Sequence, residues 1–331
     1  MERFALAAAV VLGFALTAAL CSLFVPLRRV LERREQNQQP AQSEQPRPAP
    51  LRAPLWGGLC AAAGTVAAVG VGWLAACVGQ PELLGSEGRL MTRLLTALVG
   101  SLAFGAVGLA EDLARMRSPA ALGLRRDVRL LLEALAAAFV LLLLQAAGCL
   151  PRGLDVPGAG YVLLGSAVPF LWAVLMVALA ECARIAERDE GTVCGAAFVA
   201  MLALMMAEAG LGVPGLAVLP AALAGALVAL LLWAFPPARL GVGCCGSLLA
   251  AGAIGCIPLS LDMTSLTVPL ALPFWAAGGL WAAQLLGAKR TGKPLRCWVK
   301  KHKMSPETVF LCSFALSAVG YVLALALLRW C

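Results

Sequence analysis

The chain has 331 residues, of which 61% are apolar and only 13% charged, and its mean hydropathy is +0.87. Soluble domains carry about 25% charge and 45–50% apolar residues, so a soluble enzyme and a disordered protein are both excluded and lipid is the main solvent. The formal charge of +8 and the pI of about 9.0 are the remaining global signal, and where the cations fall decides what they mean.

Ten apolar runs, each about 20 residues and so long enough for about 30 Å of hydrocarbon, follow one another along the chain. They are expected at 4–24, 56–78, 92–110, 130–149, 160–180, 192–210, 213–234, 241–261, 266–286 and 309–329. Their length and Ala/Leu bias predict helices, because backbone groups in lipid must be satisfied within the segment. The fold class is therefore an all-α polytopic membrane protein, residues 1–331 forming a single transmembrane domain. The first run is followed by Val25-Pro26-Leu27-Arg28-Arg29 without a small-residue cleavage site, so it is expected to be a retained helix. Residues 28–54, rich in Gln, Pro and Arg, are expected to be a polar connector, and 287–308 a basic loop.

Of the 26 Lys and Arg, 21 lie in the odd-numbered connections and five, Arg3, Arg89, Arg93, Arg152 and Arg329, on the opposite side. This asymmetry predicts that the odd connections face the cytoplasm and that both termini lie outside, and it leaves the basic pI without need of nucleic acid. The twelve cysteines form no CxxC or Cys/His spacing and read as small packing residues.

Ionisable residues at a membrane segment are costly and mark candidate sites. Here they gather at the expected cytoplasmic ends. Glu111-Asp112 closes the third run, and Glu181, Arg184, Glu187, Arg188, Asp189 and Glu190 fill the turn after the fifth. His302, the one histidine, stands among Lys300, Lys301 and Lys303. Two glycine-bearing turns lie on the same side, Pro54-Leu55-Trp56-Gly57-Gly58 and Gly241-Val242-Gly243-Cys244-Cys245-Gly246-Ser247. Carboxylates, cations and open backbone amides facing one compartment are the parts that hold a magnesium–diphosphate ion, since Mg²⁺ takes one or two carboxylates plus substrate phosphates. The plainer reading is that helix ends of any polytopic protein collect charge and glycine.

The order and spacing of these clusters resemble the phospho-N-acetylmuramoyl-pentapeptide transferase family, part of the polyprenyl-phosphate N-acetylhexosamine-1-phosphate transferase superfamily, glycosyltransferase family 4. The family's Thr-Pro-Thr-Met-Gly-Gly stretch is resembled by Ala53-Pro54-Leu55-Trp56-Gly57-Gly58. Its Asp-Asp-x-x-Lys motif, with the Gly-Leu and helix-start Lys that follow, is matched by Glu111-Asp112-Leu113-Ala114-Arg115, Gly123-Leu124 and Arg129. Its Asn-x-x-Asn-Leu-Thr-Asp-Gly-Leu-Asp-Gly motif aligns on Glu181 through Gly191. There Glu181 and Arg184 replace the Asn residues, and Glu187 and Glu190 the Asp residues. The Pro-Ala-x-x-Phe-Met-Gly-Asp-Thr-Gly-Ser motif aligns on Pro237 through Ser247, with Cys244 in place of Asp. Thr291-Gly292-Lys293 matches a Thr-Gly-Lys, and a histidine cluster is reduced to His302.

The resemblance implies ten helices with both ends outside, in the bacterial cytoplasmic membrane. It implies an Mg²⁺-dependent transfer of a sugar phosphate from a UDP-sugar of the UDP-N-acetylmuramoyl-pentapeptide type to undecaprenyl phosphate, for peptidoglycan and cell-envelope synthesis. The partners are then polyprenyl phosphate and a UDP-sugar, with no nucleic acid and with homodimerisation open. Carried over by position, the catalytic residues are Asp112, Glu111 and Glu187, and the metal ligands Glu111, Asp112, Glu187 and Glu190. The phosphate and substrate contacts are Gly57, Gly58, Arg115, Arg129, Glu181, Arg184, Lys293 and His302.

The departures define an alternative. A Glu in place of Asp displaces its carboxylate by about 1 Å, an offset of a size that costs on the order of 10²-fold in rate. A neutral thiol at Cys244 is a poor ligand for Mg²⁺. A non-catalytic paralogue that binds the lipid carrier or an envelope partner therefore stands beside the active enzyme. Asp112 and Arg115 three residues on can simply pair, and Glu187 and Glu190 can be neutralised by Arg184 and Arg188. His302 can lie solvated or at anionic headgroups.

Overall fold

Backbone groups in hydrocarbon find no water to bond, and this chain satisfies them within helices. The computed structural model describes residues 2–38, 56–79, 88–117, 123–156, 160–163, 165–187, 191–212, 215–236, 238–291 and 305–330. Among the described residues the helices are α1 (Glu2–Gln38), α2 (Gly57–Gly79), α3 (Gly88–Arg117), α4 (Arg126–Ala146), α5 (Ala167–Ala186), α6 (Thr192–Gly210), α7 (Val218–Ala234), α8 (Gly243–Ser260), α9 (Thr267–Leu270), α10 (Leu272–Thr291) and α11 (Pro306–Trp330). A two-stranded antiparallel hairpin, β1 (Gly153–Val156) and β2 (Gly160–Leu163), separates α4 from α5, with Gly153 opposite Leu163 and Val156 opposite Gly160.

The expected polytopic, all-helical class holds, and each expected span falls on helix. By length and composition 7 described helices can cross a membrane, or 8 if a bent pair is counted as one span; α7 is a shorter apolar helix. Three boundaries differ from expectation. The fifth span begins at Ala167, because Gly160–Leu163 is strand, and hydropathy alone does not separate a short apolar strand from a helix start. The ninth is broken, Thr264–Leu270 and Leu272–Ala283 meeting at 63°. Pro273 lacks an N–H and its ring crowds the preceding turn, so the helix restarts there. The polar connector begins as helix, since α1 continues to Gln38.

At the centre lies α8, Gly-Cys-Cys-Gly-Ser-Leu-Leu-Ala-Ala-Gly-Ala-Ile-Gly-Cys-Ile-Pro-Leu-Ser, buried over its whole length. Lipid tails are as apolar as leucine, so association inside a membrane depends on close packing, which small residues permit. α8 forms its most extensive interface with α3. There Gly108 touches the Cys244 backbone so closely that a Cβ would run into the Cys244 carbonyl, and a Cβ on Gly252 would meet Phe104 and Ser101 at 3.0–3.1 Å. α1, α2 and α7 pack together on one flank, while α5 joins α8 to α4 and α10, and α11 lies on α6.

The outer surface is apolar, with Val78 82%, Phe4 72% and Phe170 71% exposed, the pattern of a chain solvated by acyl chains. All ten described cysteines are free, and seven are buried, as packing residues should be.

Packing at the α3–α8 seam yields a direct test. Gly108→Ala places a methyl group against backbone that cannot move aside, and is expected to destabilise the protein by about 1–3 kcal/mol. Gly70→Ala, on a helix face with nothing within 4 Å, is expected to be neutral or stabilising by about 0.5–1 kcal/mol. Thermal melts of the two variants in detergent, side by side, check the contrast.

Candidate active site

The seam between α3 and α8 ends in a carboxylate. Asp112, at 1% exposure, accepts the Cys244 amide on Oδ1 at 3.0 Å and the Cys245 amide on Oδ2 at 2.9 Å. These are among the first amides of α8, groups left without partners by the helix itself and carrying its positive end. Gly243, at φ +70°, makes the turn that aims them, a conformation glycine adopts without strain. Asp112 thus ties the third-span motif to the glycine-bearing turn some 130 residues later in the chain.

The other glycine-bearing turn joins at the same end. The Gly57 amide donates to the Gly241 carbonyl at 3.2 Å and the Gly58 amide to the Val242 carbonyl at 2.9 Å. The open amides expected to cradle phosphate at Gly57 and Gly58 are therefore committed to holding α2 against α8. The backbones approach so closely that a side chain on Gly58 would collide with Gly246.

Beside this clamp the charges form one ion-pair network. Arg115 Nη2 donates to Glu111 Oε1 at 2.7 Å, while its Nη1 lies 3.9 Å from Asp112 Oδ1 and 3.8 Å from Glu187 Oε2. Arg129, from the start of α4, donates through Nε to Glu181 Oε1 at 2.7 Å and lies 3.6 Å from Glu111 Oε1. Arg184 donates to Glu181 Oε2 at 2.6 Å. Gly123, at φ +68°, lies over the Arg115 stem, where a Cβ would come within 3.1 Å of Cγ.

The structure thus brings Glu111, Asp112, Arg115, Arg129, Glu181, Arg184 and Glu187 into one network. Glu190, Lys293 and His302 lie outside the described residues. One member was missed by sequence reasoning. Glu133, on α4 one turn beyond Arg129, is 0% exposed, lies 4.0 Å from Arg129 Nε, and neither of its oxygens has a hydrogen-bond partner. An acid inside an apolar run, four residues from an arginine, was the signal that could have found it.

Whether this donor set suits Mg²⁺ is a matter of which oxygens remain open. Mg²⁺ requires near-octahedral oxygen ligands at about 2.0–2.1 Å and a charge that carboxylates must meet. Each Asp112 oxygen already accepts an amide, Arg115 binds Glu111 and lies beside Glu187, and position 244 contributes an amide and a buried thiol. Glu111 Oε2 is buried without a hydrogen-bond partner, one oxygen where a site needs several. Among the described residues no three His, Cys, Asp or Glu side chains converge as a metal site. The residues described do not fit the ion as a ready-made cage.

The family model of glycosyl transferase family 4 matches residues 94–262, just over half of the chain and the part that runs from within α3 through α8 with their whole charge network. The chain belongs to glycosyl transferase family 4. Its curated relatives in that family agree. A phospho-N-acetylmuramoyl-pentapeptide-transferase of Mycobacterium tuberculosis (strain H37Rv) is 28% identical over 265 residues, 72% of each chain. Another, of Synechococcus sp. (strain RCC307), is 30% identical over 212 residues, 63% of this chain and 55% of the relative. A third, of Desulforudis audaxviator, is 31% identical over 170 residues, 48% of this chain and 50% of the relative. As a glycosyl transferase family 4 member with many apolar helices and bacterial relatives, the chain is a multi-pass protein of the bacterial inner membrane.

The network separates supporting charges from unsupported ones. Arg129→Met removes the cation beside Glu133 and leaves Glu111 and Glu181 to Arg115 and Arg184 alone, and is expected to cost up to about 3 kcal/mol. Glu133→Gln keeps the shape of a fully buried side chain whose carboxyl oxygens accept no hydrogen bond, so the midpoint of unfolding is expected to stay or rise. Asp112→Ala strands two buried amides at about 1–3 kcal/mol each. Melting curves in detergent rank the three, and a stable Asp112→Ala protein would contradict the clamp.

Proposed function

We propose that this protein works at the cytoplasmic face of the membrane on the substrates of a polyprenyl-phosphate sugar-phosphate transferase: a UDP-sugar and undecaprenyl phosphate, in cell-envelope glycan synthesis. The observation that carries the reading is the convergence of three separated motif regions on one network. Asp112 and Arg115 come from α3, Glu181, Arg184 and Glu187 from α5 and its C-terminal turn, and the Cys244 and Cys245 amides from α8. The relatives are named for transfer of phospho-N-acetylmuramoyl-pentapeptide, which supports a UDP-linked muramoyl donor of that type.

The chemistry open to these residues is electrostatic. Phosphoryl transfer asks a protein mostly for positioning and charge stabilisation. Arg115, Arg129 and Arg184 present guanidinium forks suited to phosphate oxygens, each of them now engaged by a carboxylate. A phosphate entering the network exchanges with those carboxylates.

A second reading is favoured by a specific observation: every carboxylate of the expected set that is described is met by a guanidinium or by helix amides. On that reading the protein is a non-catalytic paralogue that holds the lipid carrier or an envelope partner.

Release of uridine monophosphate separates the two. Purified protein with undecaprenyl phosphate, Mg²⁺ and a panel of UDP-sugars is expected to release the nucleotide above the level of a folded Glu187→Gln control. Binding of the lipid phosphate or nucleotide without release establishes the paralogue. Neither release nor binding would sink both.

A further inference from the structure

We propose that the Arg115 guanidinium is the resident cation of this site, taking the role of a divalent metal, so that the protein has no Mg²⁺ of its own. The inference rests on the placement of the site proposed above, and it is independent of whether transfer occurs.

Three carboxylates, two from α3 and one from the turn that ends α5, surround one guanidinium. Glu111 is bound at 2.7 Å, Glu187 and Asp112 lie at 3.8 and 3.9 Å, and all three face the same two terminal nitrogens. Arg115 is 22% exposed, whereas Glu187 is 12%, Glu111 3% and Asp112 2% exposed, so the arginine is the most accessible member of the cluster and the two α3 acids have almost no open surface of their own. Gly123 leaves room for the arginine stem, which a Cβ there would crowd at 3.1 Å.

Charge is met locally. Glu111 has a second guanidinium, that of Arg129, at 3.6 Å, and Asp112 has the positive end of α8. Arginine keeps its charge at every accessible pH and does not exchange with the medium as an ion does. A chelator therefore has nothing to remove. A phosphate-bearing ligand of this site is then gripped by charge-assisted hydrogen bonds from arginine instead of a metal bridge.

The test uses the full-length protein in detergent and reads metal binding and stability, with no dependence on turnover. Mn²⁺, followed by electron paramagnetic resonance, is expected to show no saturable site on the wild-type protein, and neither Mg²⁺ nor a chelator is expected to shift its melting midpoint. Arg115→Ala is expected to melt several degrees lower and to be restored in part by millimolar guanidinium or Mg²⁺, additions that leave the wild type unmoved.

A stoichiometric Mn²⁺ site on the wild type, competed by Mg²⁺ and lost in Glu111→Gln, overturns the proposal. So does an Arg115→Ala protein that folds but responds to neither cation. Should Arg115→Ala fail to fold, Arg115→Lys takes its place, with a lowered midpoint that guanidinium or Mg²⁺ raises supporting the proposal and an indifferent one overturning it. Binding of undecaprenyl phosphate or a UDP-sugar is titrated separately in the presence of chelator. Its absence would defeat the substrate reading above while leaving the metal result standing.

Discussion

A single buried carboxylate organises this end of the molecule. Asp112 has almost no contact with solvent, and its two oxygens receive two successive amides of α8. Hydrogen bonds from amide to a charged acceptor contribute about 1.5–3 kcal/mol each, more than a neutral pair, and here they also compensate a desolvated charge. The geometry allows no slack. α3 and α8 approach closely enough for Asp112 to reach because Gly108 has no side chain to hold the Cys244 backbone away, and the two amides point at it because Gly243 turns through a left-handed conformation. α2 is held to the same turn by its own backbone, through Gly57 and Gly58.

From that clamp the charge network follows. With Asp112 fixed, Glu111 on the preceding residue and Arg115 one turn on are set beside the ends of α4 and α5. Among the described residues five carboxylates, Glu111, Asp112, Glu133, Glu181 and Glu187, meet three guanidiniums, Arg115, Arg129 and Arg184. Breaking one partner out of such a buried set is costly, because the remaining charge has no water to turn to. The network is therefore a structural unit as well as a candidate site.

Family membership and site chemistry are separate findings here. The match through residues 94–262 covers the scaffold on which α3, α5 and α8 meet. What the scaffold presents at that meeting point is a set of glutamates with an arginine held among them, and a thiol at position 244. A fold supports many chemistries, and the arrangement of charges decides among them.

Much of the architecture is written in the sequence, because lipid imposes it locally: about 20 apolar residues suffice to cross, and the backbone must then be helical. The positions of the spans and the clustering of acids at one set of helix ends are legible for that reason. Boundaries that depend on neighbours are not. Gly160–Leu163 pairs with Gly153–Val156 instead of opening a helix, and the chain breaks before Pro273. In the site, Asp112, Glu111 and Arg115 are recognisable by motif, yet their partners are not. That Asp112 takes the Cys244 and Cys245 amides, that Gly57 and Gly58 bond to α8 and not to a ligand, and that Glu133 sinks beside Arg129 all depend on contacts between distant segments. The sequence by itself determined the solvent, the helical class and which residue types stand at the charged end, since hydropathy and helix length are local quantities. Only the tertiary structure decided which charge neutralises which, because pairing in a low dielectric is set by distances of a few ångström that no spacing along the chain encodes.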